Sequence, residues 1–250
     1  MNTIVDNLAF IKKRIALACD KSGRNLSAVK LLLATKTVSA ENIKIVLEAG
    51  KSDNDRMLIG ENKVQEMKEK FEDLKSVPHH THFIGHLQTN KIKEVTRYAD
   101  CIQSVDRWDL AEKLQKHLEF ENKTLDVFLQ INTSYEESKF GIAPEKAVGF
   151  ALRVHTLDRL HIKGLMTIGL FSAQTEQVRK CFRLLKNLQQ QMLEKNIPVH
   201  ELSMGMSGDL ETAIEEGSTM VRVGTAIFGK RIYSDSYYWN EGSKPTQILS

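Results

Sequence analysis

The feature that most constrains the fold is a regular alternation of short apolar runs with longer amphipathic stretches along the 250 residues. Repeated strand–helix units predict an α/β protein with a parallel sheet, and about eight of them predict a single (β/α)8 TIM barrel. An open doubly wound sheet gives the same alternation with fewer units and is the main alternative. The predicted strands are Val29–Thr35, Met57–Gly60, Thr81–Gly85, Cys101–Val105, Leu125–Asn132, Ile162–Gly169, Glu201–Met204 and Met220–Gly224.

An additional helix is predicted before the first strand. Apolar residues recur there at helical spacing, and Ser22-Gly23 ends the pattern. The chain has only four prolines and no Gly/Ser-rich linker, which favours one folding unit. We therefore predict a barrel domain over residues 1–231 and a C-terminal tail, rich in aromatic residues, over 232–250.

Charge and cysteine usage exclude several classes of protein. Lys and Arg number 35 and Asp and Glu 32, spread along the chain, so neither nucleic acid nor a membrane surface is the predicted partner. Cys19, Cys101 and Cys181 lie far apart, which indicates buried thiols rather than a disulfide framework or a zinc site. Charges at Asp6 and Lys12 interrupt any signal-peptide core, and no run approaches the ~18 apolar residues of a membrane span. A cytoplasmic protein is expected.

The first predicted strand ends in a lysine. Side chains alternate along a strand, so Lys36 shares a face with Leu32 and Ala34, which is the inner face of a barrel. Burial favours the neutral amine, and a neutral amine can form an imine with an aldehyde. A lysine that reaches outward to the barrel rim explains the position equally well.

The turns after the seventh and eighth predicted strands are rich in small residues and lead into helical patterns, at 203–209 and 224–229. Helix N-termini attract anions, and these two loops frequently form the phosphate site of a TIM barrel. Ser207 and Thr225 can add hydroxyl donors. Each turn alone is explained by ordinary helix capping, and it is their joint position that indicates a phosphate site.

Arg222 lies two residues before Gly224 on the same strand face. It can pair with a buried carboxylate or donate to a ligand atom. Together with Lys36 and the phosphate turns, the second role describes a site for pyridoxal 5′-phosphate. A sugar-phosphate aldolase would share the lysine and the phosphate turns, and would need a further acid or base, for which Asp106 is the candidate.

Motifs over nearly the whole chain, to about Arg231, resemble the pyridoxal phosphate homeostasis proteins, the YggS/PROSC family, which have the alanine-racemase-type barrel. The matching stretches are LATKT at 33–37, IGENKVQE at 59–66, HFIGHLQTNK at 82–91, QIN at 130–132, KFG at 139–141, GLMTIG at 164–169, LSMGMS at 202–207 and GSTMVRVGT at 217–225, followed by Gly229.

The resemblance implies a role for individual residues. Lys36 is implied to be the reactive lysine, the only residue assigned to catalysis, which carries pyridoxal 5′-phosphate as an aldimine. The other cofactor-binding residues are implied to be Asn62 beside the cofactor, Met206 and Ser207 after the seventh strand, Arg222 at the pyridine nitrogen, and Gly224 with Thr225 in the phosphate turn.

Three positions depart from the family pattern. The family usually has serine, proline and tyrosine where this chain has Thr35, Val38 and Lys63. Thr35 keeps the hydroxyl, whereas Lys63 places a charge where an aromatic ring is expected. The polar insertion at 51–56 is also unusual, and a barrel places such a helix-to-strand loop on the face away from the active site.

Four histidines lie close together in sequence, at His79, His80, His82 and His86. The first two follow Pro78 in a predicted loop, and no carboxylate lies at ligand spacing. No metal site is predicted.

Three functions compete: a protein that binds pyridoxal phosphate and buffers or delivers it, with little or no turnover; an amino-acid racemase; and an aldolase. Racemases of this fold take a second base from an additional β-domain of a partner subunit, and the residues after Arg231 are too few for one. A non-catalytic role in vitamin B6 homeostasis is therefore predicted. The expected recipients are apoenzymes that depend on pyridoxal phosphate, and the expected state is a monomer or weak dimer.

Overall fold

The computed structural model describes residues 3–50, 56–170 and 172–229. Within them, eight parallel strands form a closed barrel in chain order, because the eighth strand pairs with the first as well as with the seventh. This confirms the TIM barrel and excludes the open sheet. The strands are β1 Lys30–Ala34, β2 Met57–Glu61, β3 His79–Phe83, β4 Cys101–Val105, β5 Leu125–Gln130, β6 Leu160–Met166, β7 Glu201–Ser203 and β8 Met220–Val223.

The described helices surround the barrel. They are α1 Ile4–Lys21, α2 Ala40–Gly50, α3 Val64–Leu74, α4 Ile92–Val95, α5 Trp108–Phe120, α6 Pro144–His155, α7 Thr175–Leu193, α8 Leu210–Glu215 and α9 Thr225–Phe228, with short 3-10 turns at Leu26–Ala28 and Thr89–Lys91. The predicted N-terminal helix is confirmed as α1, which starts in a capping box between Thr3 and Asp6. Its buried face packs with α2 and β1 in one hydrophobic cluster.

Two strands, β3 and β6, begin two residues earlier than the sequence predicts. His79 and His80, predicted in a loop, lie in β3, where they pair with Met57 and Leu58 of β2. Hydrogen-bonded pairing with β2 determines where β3 begins, and the two polar side chains at that end interrupt the apolar pattern on which the sequence prediction depends. At their carboxyl ends, β5 and β6 stop two or three residues before the predicted boundaries. The prediction extends further because Ile131 and Ile168, which follow the strands, are also apolar and buried.

The core has an outer and an inner layer. Most apolar side chains pack between the strands and the helices. Inside the barrel a smaller cluster contains Leu32, Cys101, Phe128, Met166, Ile168 and Met220. The interior is thus a packed core, and binding is left to the ends of the strands.

Some predictions fall outside the described residues, namely the insertion at 51–55 and the tail at 232–250, so the predicted domain boundary at 231 stays a prediction. The three cysteines are buried free thiols, as predicted. Among the helices of the described ranges, none combines the length and the apolar character that crossing a membrane requires.

Candidate functional site

The predicted site residues lie on or just after four strands that are neighbours in the closed barrel, β7, β8, β1 and β2. Lys36 follows β1 by two residues, and Asn62 directly follows β2. Ser207 and Thr225 lie in the turns after β7 and β8. Since parallel strands end at one face, the closure of the barrel gathers these residues on its carboxyl-end face.

Lys36 is buried, with 6% of its surface exposed. This contradicts the alternative in which the side chain reaches outward into solvent at the rim. The register places Arg222 opposite Leu32, four residues before Lys36 along β1. Arg222 therefore lies deeper in the barrel than Lys36.

Arg222 is held by a chain of hydrogen bonds inside the barrel. Its Nη1 donates to Ser203 Oγ at 2.8 Å, and its Nη2 donates to the carbonyl oxygen of Thr167 at 2.7 Å. Ser203 Oγ in turn donates to Gln103 Oε1 at 2.6 Å. Burial lowers the pKa of Arg222 to about 10, against the attraction of Asp209. The guanidinium stays charged at neutral pH, and its orientation is set by neutral partners.

The chain continues to His82, where Gln103 Nε2 lies 2.7 Å from Nδ1. Because the amide donates, Nδ1 is the acceptor and the ring is neutral with its proton on Nε2. Burial lowers the pKa of His82 to about 3, and the charges of His80 and Lys30 act in the same direction. Each hydrogen bond in this chain therefore donates in the same direction, from Arg222 through Ser203 and Gln103 to His82.

Sequence reasoning missed Ser203 and Gln103 as supports of Arg222. The available signal was a polar residue inside a predicted strand, Gln103 beside Ser104 in CIQSV and Ser203 after Leu202 in ELS. Both are fully buried, and buried polar groups are hydrogen-bonded as a rule. The partners come from strands far apart in sequence, so the pattern alone cannot pair them.

The two predicted phosphate turns lie side by side. The backbone N–H of Ala226, at the start of α9, donates a hydrogen bond to Ser207 Oγ at 3.4 Å. Arg14 of α1 donates from Nη1 and Nη2 to the carbonyl oxygen of Ser207 at 3.1 and 3.2 Å, and its Nε pairs with Glu211 of α8 at 2.6 Å. The N-terminal helix therefore fixes the turn after β7.

A glycine shapes the start of that same turn. Gly205 has φ +94°, and a Cβ there would lie 2.4 Å from the Cβ of Ala213. Both facts exclude a larger residue without a backbone shift. Met206 follows it and packs partly buried on the inner cluster.

Asn62 carries a buried polar atom that is unsatisfied. The residue is 5% exposed, and its Oδ1 has no hydrogen-bond partner among the described residues. Gly85 packs against its backbone, since a Cβ at Gly85 would lie 2.0 Å from the carbonyl oxygen of Asn62. Buried polar atoms are rarely left unpaired, so this carboxamide fits a ligand that supplies the missing partner.

The positions that depart from the family pattern have local roles. Thr35 donates its hydroxyl to Glu61 Oε1 at 2.6 Å, so the hydroxyl that threonine keeps is used structurally. Lys63 is partly buried at the N-cap of α3. Val38 packs on the cluster around α1.

The histidines do not converge. His79 and His80 lie at the amino end of β3, whereas His86 lies beyond its carboxyl end and stacks on Phe140 at a centroid distance of 3.7 Å. Across the described ranges there is no group of three side chains able to hold a metal ion. Asp106, the acid or base that an aldolase would need, pairs with Arg107 at 2.6 Å and lies 3.5 Å from His86.

The arrangement fits a ligand with an aldehyde, a polar ring and an anionic group. Lys36 supplies a buried amine, Arg222 a fixed cationic donor and Asn62 an unsatisfied carboxamide. The turns after β7 and β8 adjoin each other, and the hydroxyl groups of Ser207 and Thr225 in them can donate to an anion. Pyridoxal phosphate is a ligand of this kind.

Known proteins share both the sequence and the fold. Residues 52–232 match the family described as "Alanine racemase, N-terminal domain". A pyridoxal phosphate homeostasis protein of Aquifex aeolicus is 40% identical over 229 residues, which is 91% of this chain and 98% of that protein. The crystal structure of an unknown protein from Bifidobacterium adolescentis has a TM-score of 0.84 at 40% identity, covering 90% of this chain and 94% of that chain. PipY of Synechococcus elongatus, whose structure has PLP bound, has a TM-score of 0.76 at 30% identity, covering 91% of this chain and 100% of that chain.

Proposed function

This chain belongs to the family of pyridoxal phosphate homeostasis proteins, and from that membership we propose that it binds pyridoxal 5′-phosphate on Lys36 and buffers or delivers the cofactor. The observation that carries the proposal is the buried Lys36 at the carboxyl end of β1, with the unsatisfied Asn62 on the neighbouring strand end. The PLP-bound structure of PipY supports the same ligand.

The bond to Lys36 is reversible, which suits a carrier. The amine nitrogen would add to the aldehyde carbon, a C=N bond would replace the C=O bond, and the oxygen would leave as water with the two hydrogens of the amine. Release is the same reaction in reverse, in which water regenerates the aldehyde and the free amine. No oxidant or further reactant is needed in either direction.

The phosphate is proposed to lie on the turns that contain Ser207 and Gly224-Thr225. Removal of one hydroxyl donor to a buried anion costs about 1–3 kcal/mol, so Ser207→Ala and Thr225→Val should weaken binding roughly tenfold to a hundredfold. Each variant is titrated with pyridoxal phosphate and with phosphate-free pyridoxal, and exposed Thr156, on the opposite face, gives the control Thr156→Val. If both ligands weaken equally, the lost contact is not to phosphate.

Little or no catalytic turnover is proposed. Racemisation uses the pyridine ring as an electron sink, which works best with a protonated nitrogen. Arg222 remains a cationic donor and, placed at that nitrogen as the family resemblance implies, favours the unprotonated ring. Racemases of the same fold also tolerate arginine there, so the racemase alternative needs a direct test.

We expect the holoprotein to exchange the α-proton of amino acids far more slowly than typical kcat values of about 1–10³ s⁻¹. Each L-amino acid is incubated with the protein in D₂O, and deuterium uptake and D-isomer formation are followed. Enzyme-like exchange with any amino acid, lost in Lys36→Ala, would replace the carrier function by the racemase alternative.

A further inference from the structure

Three ionisable side chains form a cluster behind the segment that carries Lys36. They are Glu61 at the end of β2 and Glu66 and Lys70 on α3, and they lie outside the barrel, between the strands and that helix. The Glu61 side chain is 1% exposed, that of Lys70 12% and that of Glu66 18%. The cofactor-binding roles assigned above use none of these groups.

Lys70 joins the cluster together. Its ammonium donates to Glu61 Oε1 at 2.9 Å, to Glu66 Oε2 at 3.0 Å and to the carbonyl oxygen of Thr35 at 2.9 Å. These three bonds use the three hydrogens of the ammonium group. The lysine therefore has a defined position between two carboxylates and the backbone next to Lys36.

Both peptide groups that flank Lys36 are bound by this cluster. The carbonyl before it, that of Thr35, accepts from Lys70, and the N–H after it, that of Thr37, donates to Glu66 Oε2 at 2.7 Å. The Thr35 hydroxyl adds a third contact, to Glu61. With both peptide planes held, the direction of the Lys36 Cα–Cβ bond is fixed.

The backbone at Thr37 shows why such support is needed. Its φ is +64°, in the left-handed region that β-branched residues rarely adopt. A conformation of this kind persists only where the surroundings hold it, and such residues cluster at functional sites. The hydrogen bond from Thr37 to Glu66 supports this conformation, together with the bond from the Val38 N–H to the Thr35 carbonyl oxygen at 3.0 Å.

We propose that Glu61, Glu66 and Lys70 are positioning residues that hold the 35–37 backbone so that the Lys36 amine is aimed at the aldehyde of the ligand. This inference depends on the proposed function, because it needs Lys36 to react. It predicts that loss of the cluster slows bond formation at Lys36 more than it weakens the non-covalent binding of the same ring and phosphate.

Glu66 is the best residue to change because it is the most exposed of the three. Glu66→Ala removes the acceptor of both Thr37 and Lys70, whereas Glu66→Gln keeps a carbonyl oxygen that can accept from both. Glu69, exposed on the same helix, gives the control Glu69→Ala. The full-length apoprotein of each variant is mixed with pyridoxal phosphate, and the rate of imine absorption is recorded. Affinity for pyridoxine 5′-phosphate, which has an alcohol in place of the aldehyde, is measured separately.

We expect Glu66→Ala to slow imine formation about tenfold, the effect of one charge-assisted hydrogen bond, with affinity for the alcohol analogue changed less than about threefold. Glu66→Gln should restore most of the rate, and Glu69→Ala should behave as the unchanged protein. If Glu66→Ala melts below the working temperature, Lys70→Met, with exposed Lys68→Met as its control, is subjected to the same comparison.

Equal rates of imine formation in Glu66→Ala and the unchanged protein would overturn the positioning role. So would a parallel loss of rate and of analogue affinity, since the whole site would then be disturbed. A failure of the proposed function looks different, because the unchanged protein itself would then form no imine.

Discussion

Replacing Lys36 by alanine is expected to abolish the imine absorption that the protein shows with pyridoxal phosphate. Lys36 is the residue that places a buried amine at the carboxyl end of β1, and alanine cannot form the bond. Loss of the covalent link should also weaken retention of the cofactor by about two orders of magnitude, or ~2.7 kcal/mol. Absorption spectra and equilibrium dialysis measure the two effects.

The matched control is Lys63→Ala, which removes the lysine that follows Asn62 at the same face of the barrel. That variant should keep the imine absorption. The Lys36→Ala protein should keep the circular dichroism and cooperative melting of a folded barrel. An unchanged imine band in Lys36→Ala would assign the bond to another amine.

The second large effect concerns stability, which two buried groups link to pH in opposite directions. His82 has a pKa lowered from 6.5 to about 3, chiefly by burial, so the unfolded chain binds more protons in that interval. The contribution of His82 to the free energy of unfolding is complete above pH 6.5 and is lost as the pH falls to about 3. The loss reaches about 5 kcal/mol, at ~1.4 kcal/mol for each pKa unit.

Glu61 acts in the opposite sense. Burial raises its pKa from 4.5 to about 7, with the charge of Glu66 adding to the shift and Lys70 opposing it. Between these pH values the folded protein binds more protons at Glu61 than the unfolded chain does. The contribution of Glu61 to the free energy of unfolding is therefore complete below pH 4.5 and is lost as the pH rises through about 7, and the loss reaches about 3 kcal/mol. A cavity of about 20 Å³ beside Glu61, also lined by His79 and Tyr98, has room for one water molecule.

The two slopes oppose each other between about pH 4.5 and 6.5, and single variants should separate them. His82→Gln should leave a stability that declines as the pH rises, and Glu61→Gln a stability that declines more steeply than before as the pH falls. The free energy of unfolding in urea is measured at several pH values for both, with exposed His155→Gln as the control. If both variants keep the pH slope of the unchanged protein, these two groups do not control it.

The sequence predicted the fold well because the strands of a parallel barrel are buried on both faces. Cys101–Val105 is an example, since its boundaries match β4 at both ends. Where polar residues begin a strand, as His79 and His80 do in β3, the apolar signal fails and only pairing with β2 fixes the start. Closure into a barrel was inferred from the number of units, not from any residue.

The candidate site was only partly predictable. Lys36 and Arg222 were found because a charged residue on the inner face of a strand is unusual. The chain from Arg222 through Ser203 and Gln103 to His82 was not found, because it joins β8, β7, β4 and β3 by contacts that exist only in three dimensions. The contacts of Lys70 with Thr35 and Glu61 likewise depend on how α3 packs on the barrel.

The most direct test of the central claim is borohydride reduction of the holoprotein followed by peptide mapping. Reduction converts the reversible C=N bond into a stable secondary amine and marks the lysine that formed it. We predict a pyridoxyl group on the peptide that contains Lys36, in a yield that matches the imine absorption lost on reduction. A pyridoxyl group on a different lysine, or none despite bound cofactor, would contradict the assignment of Lys36 as the residue that carries pyridoxal phosphate.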